Sequence, residues 1–265
     1  MAQALIFDSG VGGLSVVSQI RLRVPALAMT YAADDAFRPY GNKSEAQLKA
    51  RLPRLLCELT EASRADIAVI ACNTASTTAL AEIRAVLDIP VVGVVPAIKP
   101  AAALSKTKTI AVLGTPGTVQ RQYVDGLIDD FASDCHVLLQ GSVNLVDMAE
   151  AKLEGHLVDQ RLIKAELAPL FSGRRGADID AVVLACTHFP LLREELKASV
   201  TQSVQWIDSG AAIAKRVEDV VGRLPALKGA NYGPDTALLV GPQTSLARQK
   251  TFADSGFERV IGLMS

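Results

Sequence analysis

The sequence predicts an α/β protein of two pseudo-symmetric, doubly wound domains with mostly parallel sheets and an active site in the cleft between them. Three observations support this prediction. Short apolar runs rich in Val and Ile alternate along the chain with segments of helical periodicity. A strand, a glycine-containing turn and a helix follow one another near the start of the chain and again near its middle. Two similar strands that each end in Ala-Cys lie 114 residues apart.

The paired cysteine strands suggest an internal duplication of about half the chain. Positions 66–74 and 180–188 each contain an apolar run that ends at a cysteine, Cys72 or Cys186, and continues into two polar residues. Such runs are typical of strands that are buried on both faces. If the halves are duplicated, the two cysteines occupy equivalent places and could face each other across a cleft.

The first half opens with a strand at 4–7, a glycine-rich turn at 8–13 and a helix at 14–22. Free backbone N–H groups point outward at such a corner, which could therefore bind an anion. The glycines lack the GxGxxG spacing of a dinucleotide site, and a plain tight turn is an equal alternative. The later elements expected in this half are a strand at 28–33, a loop at 34–43, a helix at 44–63 opened by a Ser44–Gln47 capping box, the Cys72 strand, a helix at 75–87 and a strand at 91–95.

The second half repeats the opening of the first. After a helix at 97–104, a strand at 109–113 is followed by a turn at 114–118 and a helix at 119–131, with Thr115 placed 107 residues after Asp8. The remaining expected elements are a strand at 136–140, helices at 145–154 and 159–171, the Cys186 strand, a helix at 191–200, a strand at 204–207, a helix at 211–224 and a strand at 237–240.

Four residues end strands of the two halves and are therefore candidates for chemistry: Asp8, Cys72, Thr115 and Cys186. In open parallel sheets, ligands bind at the carboxyl ends of the strands. We expect the chain to cross between domains near Pro96 and to return near Asp208. The predicted domains are 1–97 plus 208–265 and 98–207.

Composition narrows the classes of function. The formal net charge is −1, from 27 basic and 28 acidic residues with no long run of either sign, which argues against nucleic acid or an anionic membrane surface as the main partner. No apolar stretch approaches a membrane span of roughly 20 residues, and the first residues lack the basic region of a signal peptide. Four widely spaced cysteines do not suggest a disulfide framework, so a reducing cytoplasm is expected.

Structural roles compete with catalytic ones for several residues. Free cysteine is more often packed than reactive, and we interpret Cys57 and Cys135 in that way. Cys72 and Cys186 could instead form a redox disulfide, whereas a metal site has little support because there are three histidines and no CxxC or HxxxH spacing. His188 could be a satisfied loop residue or could shuttle the proton of a thiol. Asp8 could cap the following helix or act in catalysis.

The residues of several segments match one family. The chain resembles the glutamate racemases of the cofactor-independent aspartate/glutamate racemase superfamily, over roughly its first four-fifths. The matching segments are Phe7-Asp8-Ser9-Gly10-Val11-Gly12-Gly13-Leu14, Pro39-Tyr40-Gly41-Asn42-Lys43-Ser44, Ala71-Cys72-Asn73-Thr74-Ala75, Gly114-Thr115-Pro116-Gly117-Thr118, Leu184-Ala185-Cys186-Thr187-His188-Phe189-Pro190 and Ile207-Asp208-Ser209-Gly210.

The resemblance implies roles for individual residues. Cys72 would remove the α-proton of the D-isomer with help from Asp8, and Cys186 that of the L-isomer with help from His188 and Glu150. The substrate's amine and carboxylates would be held by hydroxyl and amide side chains and by one loop, namely Ser9, Asn73, Thr74, Thr115, Thr118, Thr187 and the segment Pro39, Tyr40 and Gly41.

Two positions depart from the family's pattern. Arg38 stands where the family usually has an apolar residue, and we expect it to point into solvent, with a contribution to the charge of the pocket as the alternative. Asp147 replaces a common proline close to Glu150. The segment after Gly229 matches no pattern of the family that we identify.

The expected reaction is racemisation of glutamate by two cysteine bases without a cofactor. A thiol has an ordinary pKa of about 8.5, close enough to neutrality to serve as base or acid. No lysine stands at a strand end in the manner of a pyridoxal phosphate site, and no metal is expected. The resemblance implies that the product D-glutamate supplies peptidoglycan synthesis in the cytoplasm. The alternatives are aspartate or another amino acid as substrate and, from another class, a thiol redox or metal-binding module. The partner is the small-molecule substrate, and a homodimer is left open.

Overall fold

Two parallel sheets form the centre of the fold, in a computed structural model that describes residues 2–225, 233–241 and 245–263. Among these residues the strands are β1 (Gln3–Asp8), β2 (Ala28–Ala33), β3 (Ile67–Ile70), β4 (Val91–Gly93), β5 (Thr109–Gly114), β6 (His136–Gly141), β7 (Ala181–Ala185), β8 (Gln205–Ile207), β9 (Thr236–Val240) and β10 (Arg259–Leu263).

Helices connect the strands and pack on both faces of the sheets. In the described ranges the α-helices are α1 (Leu14–Arg23), α2 (Glu45–Ser63), α3 (Asn73–Val86), α4 (Ile98–Leu104), α5 (Pro116–Val119), α6 (Gln122–Phe131), α7 (Asn144–Leu153), α8 (Gln160–Phe171), α9 (Arg193–Ala198), α10 (Gly210–Val221) and α11 (Leu246–Asp254). The same described ranges contain 3₁₀ helices at Tyr40–Asn42, Gly176–Asp178 and Phe189–Leu192.

The first sheet has the strand order β10-β9-β2-β1-β3-β4 and is covered on both faces. Successive side chains of a strand point to opposite faces. In β1, Ala4 and Ile6 therefore join the core formed with α1, α10 and α11, while Leu5 and Phe7 join the core formed with α2 and α3. Burial on both faces explains why β1 is apolar at nearly every position.

The second sheet has the order β6-β5-β7-β8 and repeats this arrangement. Ala111 and Leu113 of β5 pack with α7, α8 and α9, whereas Ile110 and Val112 pack with α4 and α6. The α/β class, the two parallel sheets and the helices on both faces confirm the predicted fold class.

Each sheet has a point at which the strand order reverses direction. The reversal lies between β1 and β3 in the first sheet and between β5 and β7 in the second. The crevice outside the strand ends at such a point is the usual ligand site of an open α/β sheet. Asp8 and Cys72 lie at the strand ends beside the reversal of the first sheet. Thr115 and Cys186 lie at the strand ends beside the reversal of the second sheet. The topology therefore brings these four residues to two crevices.

Two helices predicted from the sequence differ in the structure. The helix expected at 119–131 starts later, as α6 at Gln122, and the turn expected at 114–118 contains the short α5. The two are separated at Arg121, which is extended and whose side chain donates to the carbonyl of Gly117 and pairs with Glu45. The helix expected at 191–200 starts as the 3₁₀ turn Phe189–Leu192 and continues as the shorter α9.

The end of the chain contains two elements that the sequence analysis did not predict. These are α11, which buries only Arg248, Thr251 and Phe252, and the edge strand β10, which is largely half-buried. A narrow buried face that includes an arginine gives a weak periodic signal. Gly229, after which the resemblance ends, lies outside the described residues.

Candidate active site

Asp8 and Cys72 form one side of the site at the ends of β1 and β3. The Asp8 carboxylate is fully buried, and its Oδ2 accepts a 2.7 Å hydrogen bond from the N–H of Gly13. Its Oδ1 has no hydrogen-bond partner within the described part of the chain. Cys72 precedes the first turn of α3, with its Sγ 4.0 Å from Oγ of Ser9. A buried carboxylate oxygen without a partner is uncommon and marks this end of β1 as chemically available.

Burial dominates the acid–base character of Cys72. Desolvation, and after it the negative charge of Asp8, raise the pKa of the Cys72 thiol well above its ordinary value, although the backbone N–H of Ala75 at the start of α3 acts in the opposite direction. The charge of Cys186 raises this pKa further, so the two thiols lie close enough to interact electrostatically. Cys72 is therefore held as a neutral thiol in the closed site.

Cys186, His188 and Glu150 form the other side of the site. Cys186 follows β7, and its Sγ lies 3.8 Å from Nδ1 of His188. Nε2 of His188 lies 2.7 Å from Oε1 of Glu150, which projects from α7. All three residues are buried. The arrangement is a thiol, an imidazole and a carboxylate in contact one after another.

The charges of this second group stabilise each other. Burial alone would lower the pKa of His188, but its hydrogen bonds with Cys186 and Glu150 and their charges outweigh burial, so the pKa lies well above the ordinary value of 6.5. Burial would raise the pKa of Glu150, yet the bond and charge of His188, followed by the charge of Arg248, hold it well below its usual range. His188 and Glu150 therefore exist as a buried imidazolium–carboxylate pair.

Three threonine hydroxyls lie between the two sheets. Oγ1 of Thr74 is 3.0 Å from Oγ1 of Thr115 and 3.2 Å from Oγ1 of Thr118, and the last two atoms are 3.1 Å apart. The buried Nδ2 of Asn73 has no hydrogen-bond partner among the described residues. Hydroxyl and amide donors grouped in this way can receive a carboxylate.

The remaining predicted residues line the approach to this centre. Ser9, Pro39, Glu150 and His188 belong to the wall of a cavity of about 350 Å³, which also includes Asp35, Arg38, Val146 and Asp147. Thr187 is buried, and its carbonyl accepts a 2.8 Å hydrogen bond from Oγ of Ser15. The structure thus brings the predicted residues of both halves to one region.

The loop Pro39, Tyr40 and Gly41 is held by the predicted residue Thr115 and by Asp34 and Arg51, which the sequence analysis did not single out. Gly41 packs against Thr115 closely enough that a Cβ would lie 2.7 Å from the threonine Cβ. The Tyr40 hydroxyl donates a 2.6 Å hydrogen bond to Oδ2 of the fully buried Asp34, which also accepts two bonds from Arg51 at 2.6 and 2.7 Å.

The expectation that Arg38 points into solvent is wrong. Nη1 of Arg38 lies 3.2 Å from Oε2 of Glu150, and its Nε lies 3.6 Å from Oδ1 of Asp35. The side chain is 40% exposed, so part of it contacts solvent while its guanidinium faces two carboxylates. Two neighbouring carboxylates attract the guanidinium toward the cavity, which accounts for its direction.

Arg248 is the principal site neighbour missed from the sequence. It comes from α11, is buried, and forms ion pairs with both Glu150 and Asp35. The available signal was Ser245, which caps α11 and whose Oγ accepts a 3.0 Å hydrogen bond from the Arg248 N–H, together with Phe252 one turn later. That signal locates the helix but not the partners of its arginine.

Two further searches concern the described residues alone. Groups of three or more His, Cys, Asp or Glu side chains that could hold a metal ion do not occur among them. Their helices include none with the length and apolar character needed to cross a bilayer.

Comparison with known proteins places the chain in a family. The Asp/Glu/Hydantoin racemase family model matches residues 14–217. A glutamate racemase of Sphingopyxis alaskensis is 52% identical over 216 residues, covering 82% of this chain and 81% of the relative. One from Shewanella loihica is 44% identical over 256 residues, covering 97% and 94%.

A solved structure agrees with the sequence relatives. The crystal structure of Escherichia coli glutamate racemase in complex with L-glutamate and the activator UDP-MurNAc-ala superposes with a TM-score of 0.93 at 41% identity, covering 99% of this chain and 98% of that one. The chain therefore belongs to the Asp/Glu/hydantoin racemase family of isomerases and groups within it with the glutamate racemases.

Proposed function

We propose that this enzyme interconverts L- and D-glutamate by a two-base mechanism in which Cys72 and Cys186 serve opposite faces of the α-carbon. One observation carries the proposal: two buried thiols follow equivalent strands, and each has its own acid–base neighbour. Racemisation without an electron sink needs one base on each face of the carbon, with one base deprotonated and the other protonated.

In the chemical step the α-carbon loses a proton from one face and gains a proton on the opposite face. The thiolate of one cysteine takes the α-hydrogen as a proton, and the electron pair of the broken C–H bond moves into the α-carboxylate to give an enediolate-like intermediate. The thiol of the other cysteine then donates its proton to the opposite face, and the pair re-forms a C–H bond of inverted configuration. Each turnover exchanges the protonation states of the two sulfurs.

The family resemblance implies that Cys72 serves the D-isomer and Cys186 the L-isomer, and the charged neighbours of the two thiols differ. Asp8 favours the neutral thiol at Cys72, which is the form that donates a proton to the intermediate. The ring of His188 lies beside Cys186, with its Nδ1 3.8 Å from the sulfur, and is the acid–base neighbour of that thiol.

The threonine hydroxyls would hold the carboxylate that receives the negative charge. Thr74, Thr115 and Thr118 form a buried triangle, and Asn73 adds an amide donor without a protein partner in the described chain. Donors fixed in a dry site stabilise charge that develops in the transition state without reorganising. Ser9 and the loop of Tyr40 and Gly41 would receive the distal carboxylate.

Glutamate is the proposed substrate, with aspartate as the alternative. Aspartate is one methylene shorter, which by itself is worth about 1–3 kcal/mol. A shorter side chain would also leave buried donors unpaired and draw the α-carbon away from one sulfur. We expect kcat/KM for glutamate to exceed that for aspartate by at least about a hundredfold.

Racemase assays of both amino acids in D₂O, from both enantiomers, test the proposal. Solvent deuterium should appear at the α-carbon of the product, and Cys72→Ser and Cys186→Ser should each lose nearly all racemisation because a hydroxyl is a far weaker acid than a thiol. Comparable rates with aspartate would overturn the substrate assignment. Loss of activity in chelator or reductant, restored by metal or oxidant, would favour a metal or redox module instead.

The cellular setting is a further proposal that rests on the family. D-Glutamate made in the cytoplasm would supply peptidoglycan synthesis, and deletion of the gene should create a requirement for D-glutamate. Normal growth with unaltered wall precursors in a strain without a second source would contradict it. A homodimer would appear as a doubled mass in light scattering of the purified protein.

We also propose the domain boundaries 1–97 plus 208–265 and 98–207. In support, α4 packs on the second sheet immediately after the first boundary, and α10 packs on the first sheet immediately after the second. Limited proteolysis should cut first near Pro96 and Asp208 if these positions are the crossovers, and first cuts within either sheet would contradict the boundaries.

A further inference from the structure

The carboxylate of Glu150 has two partners on each oxygen. Oε1 accepts from Nε2 of His188 at 2.7 Å and from the N–H of Val11 at 3.0 Å. Oε2 pairs with Arg248 and, at 3.2 Å, with Arg38. Glu150 and His188 both belong to the half that holds the second sheet. The other three of these four partners belong to the half that holds the first sheet and contact Glu150 across the cleft.

Arg248 differs from the other cation at this carboxylate. Its side chain is 3% exposed, against 40% for Arg38, and it bridges Glu150 and Asp35. The ring of Phe252 lies 5.9 Å from its guanidinium carbon, and the hydroxyl of Ser245 fixes its backbone N–H. The rigid, planar guanidinium is therefore held from several sides, as suits a group that orients a carboxylate.

We propose that Arg248 is a positioning residue for the half-reaction of Cys186: it holds Glu150, and through it the ring of His188, in the orientation that serves the Cys186 thiol. The inference rests on the proposed two-base function and adds a residue of the C-terminal segment to it. Because Arg248 and Val11 contact Glu150 from the opposite half, this acid–base group is complete only when the two halves are closed.

The geometry explains how Arg248 can act at a distance. Four partners hold the Glu150 carboxylate in one orientation. Its Oε1 accepts a hydrogen bond from the N–H at Nε2 of His188, and this bond fixes the plane of the ring. The other ring nitrogen, Nδ1, then faces the sulfur of Cys186. Without Arg248, the half-exposed Arg38 is the partner that Oε2 keeps among the described residues, and the charge of Asp35 is less well compensated. Glu150 is then free to turn, and a misplacement of about 1 Å can cost about a hundredfold in rate.

The effect should be confined to one cysteine. Asp8, on the Cys72 side, makes its hydrogen bond to Gly13, and no ion pair or hydrogen bond joins Arg248 to Asp8 or Cys72 in the described ranges. Loss of Arg248 should therefore impair Cys186 much more than Cys72.

Racemisation rates alone cannot separate the two cysteines. The enantiomers of glutamate have equal free energies, so kcat/KM is the same in both directions for every variant. A substrate that reacts at one cysteine is needed. In 3-chloroglutamate a thiolate takes the α-proton, the C–H electron pair forms the Cα–Cβ double bond, and the Cβ–Cl pair leaves with chloride. No proton returns to the opposite face.

The experiment compares the two α-configurations of 3-chloroglutamate. In Arg248→Met, chloride release from the isomer with the α-configuration of L-glutamate should fall by about 30- to 100-fold, and release from the other isomer by less than about threefold. Arg248→Lys, which keeps the charge but not the two-carboxylate bridge, should restore part of the loss with the same preference. Lys250→Met removes an exposed cation of the same helix and should match the wild type.

The outcomes are decisive in each case. Equal losses on both isomers, or no loss on either, would overturn the positioning role. If Arg248→Met fails to fold by circular dichroism, the selectivity of Arg248→Lys decides, and an unselective loss there also overturns it. If the wild type does not racemise glutamate, the proposed function fails instead. If the wild type racemises glutamate but Cys186→Ser still releases chloride from the isomer with the α-configuration of L-glutamate at the wild-type rate, the assignment of Cys186 is overturned.

Discussion

The two thiols have neighbours of opposite charge. Cys72 lies near the buried Asp8 carboxylate, and Cys186 lies beside the His188 ring. Both thiols are buried, so their surroundings differ chiefly in these charged neighbours. The difference between the two half-reactions is therefore decided by one carboxylate and one imidazole.

Replacing Asp8 by Asn should make Cys72 ionise more readily. The negative charge of Asp8 is the largest cause after burial that raises the pKa of this thiol, so its removal should lower the pKa. Alkylation requires the thiolate, and its onset at Cys72 should move to lower pH. Site-resolved mass spectrometry after iodoacetamide treatment, in a Cys186→Ser background, measures this onset.

Cys135 gives an internal control for that measurement. It is half-buried, and the charged groups that act on its thiol are Asp134, Lys108 and Asp180, so its alkylation profile should stay unchanged. An onset at Cys72 that stays in place or moves to higher pH would show that Asp8 does not act on this thiol.

At the scale of elements, a short loop holds much of the predicted substrate contact. The 3₁₀ turn Tyr40–Asn42 is tied to Asp34 through the Tyr40 hydroxyl, and α2 supplies Arg51 to the same carboxylate. Asp34 is fully buried, so these hydrogen-bond partners take the place of water at its carboxylate. Helix α2 therefore positions the loop as well as covering the sheet.

Replacing Arg51 by Met should destabilise the fold and weaken substrate binding. It leaves the Asp34 carboxylate buried with the Tyr40 hydroxyl as its remaining side-chain partner. Breaking a buried pair costs about 3–5 kcal/mol, and since Arg51 is 28% exposed we expect about 2–3 kcal/mol by urea unfolding, with a raised KM for glutamate.

Arg54→Met is the matched control on the same helix. Its side chain is 85% exposed and pairs with Glu58 one turn away, so the free energy of unfolding should change by less than about 0.5 kcal/mol. Equal destabilisation by both substitutions would show that Asp34 does not depend on Arg51.

The elements themselves were largely predictable, since most have an apolar face of regular period. The capping box of Ser44 and Gln47 is present as expected and fixes the start of α2. The end of the chain was not predictable in the same way. In α11 the buried face consists of one arginine, one threonine and one phenylalanine, and this composition resembles a solvated helix until its partners are known.

At the scale of the whole molecule, the two halves meet at the turn that follows β1. A Cβ on Gly10 would collide with the carboxylate of Glu150, and one on Gly12 would lie 2.6 Å from Cε1 of His188 and 2.7 Å from Oγ1 of Thr187. Glycine is needed here for close approach of the halves and not for an unusual backbone angle.

Replacing Gly12 by Ala should therefore inactivate the enzyme more than it destabilises it. The added methyl group must displace His188 or hold the halves apart, and we expect kcat/KM for glutamate to fall by at least about a hundredfold. Thermal unfolding should report a change of less than about 2 kcal/mol, because either half can keep its own core.

Gly126→Ala is the corresponding control. This glycine lies within α6, and a Cβ there would meet nothing within 4 Å. It should leave kcat/KM unchanged and stabilise the protein by roughly 0.5–1 kcal/mol, since alanine is the better helix former. Unchanged activity in Gly12→Ala would show that the two halves do not pack closely at Gly12.

The sequence by itself determined the α/β class, the repeated strand-turn-helix start and the strand ends that carry Asp8, Cys72, Thr115 and Cys186. These features are local, because the spacing of apolar residues and the turn residues can be recognised within short contiguous segments. Tertiary structure alone decided the partners of buried charges. Arg248 reaches Glu150 across 98 positions of sequence, and Arg38 turns toward the same carboxylate instead of solvent. A buried charge needs hydrogen-bond partners or an opposite charge in place of water, and which of these it meets depends on how distant elements pack.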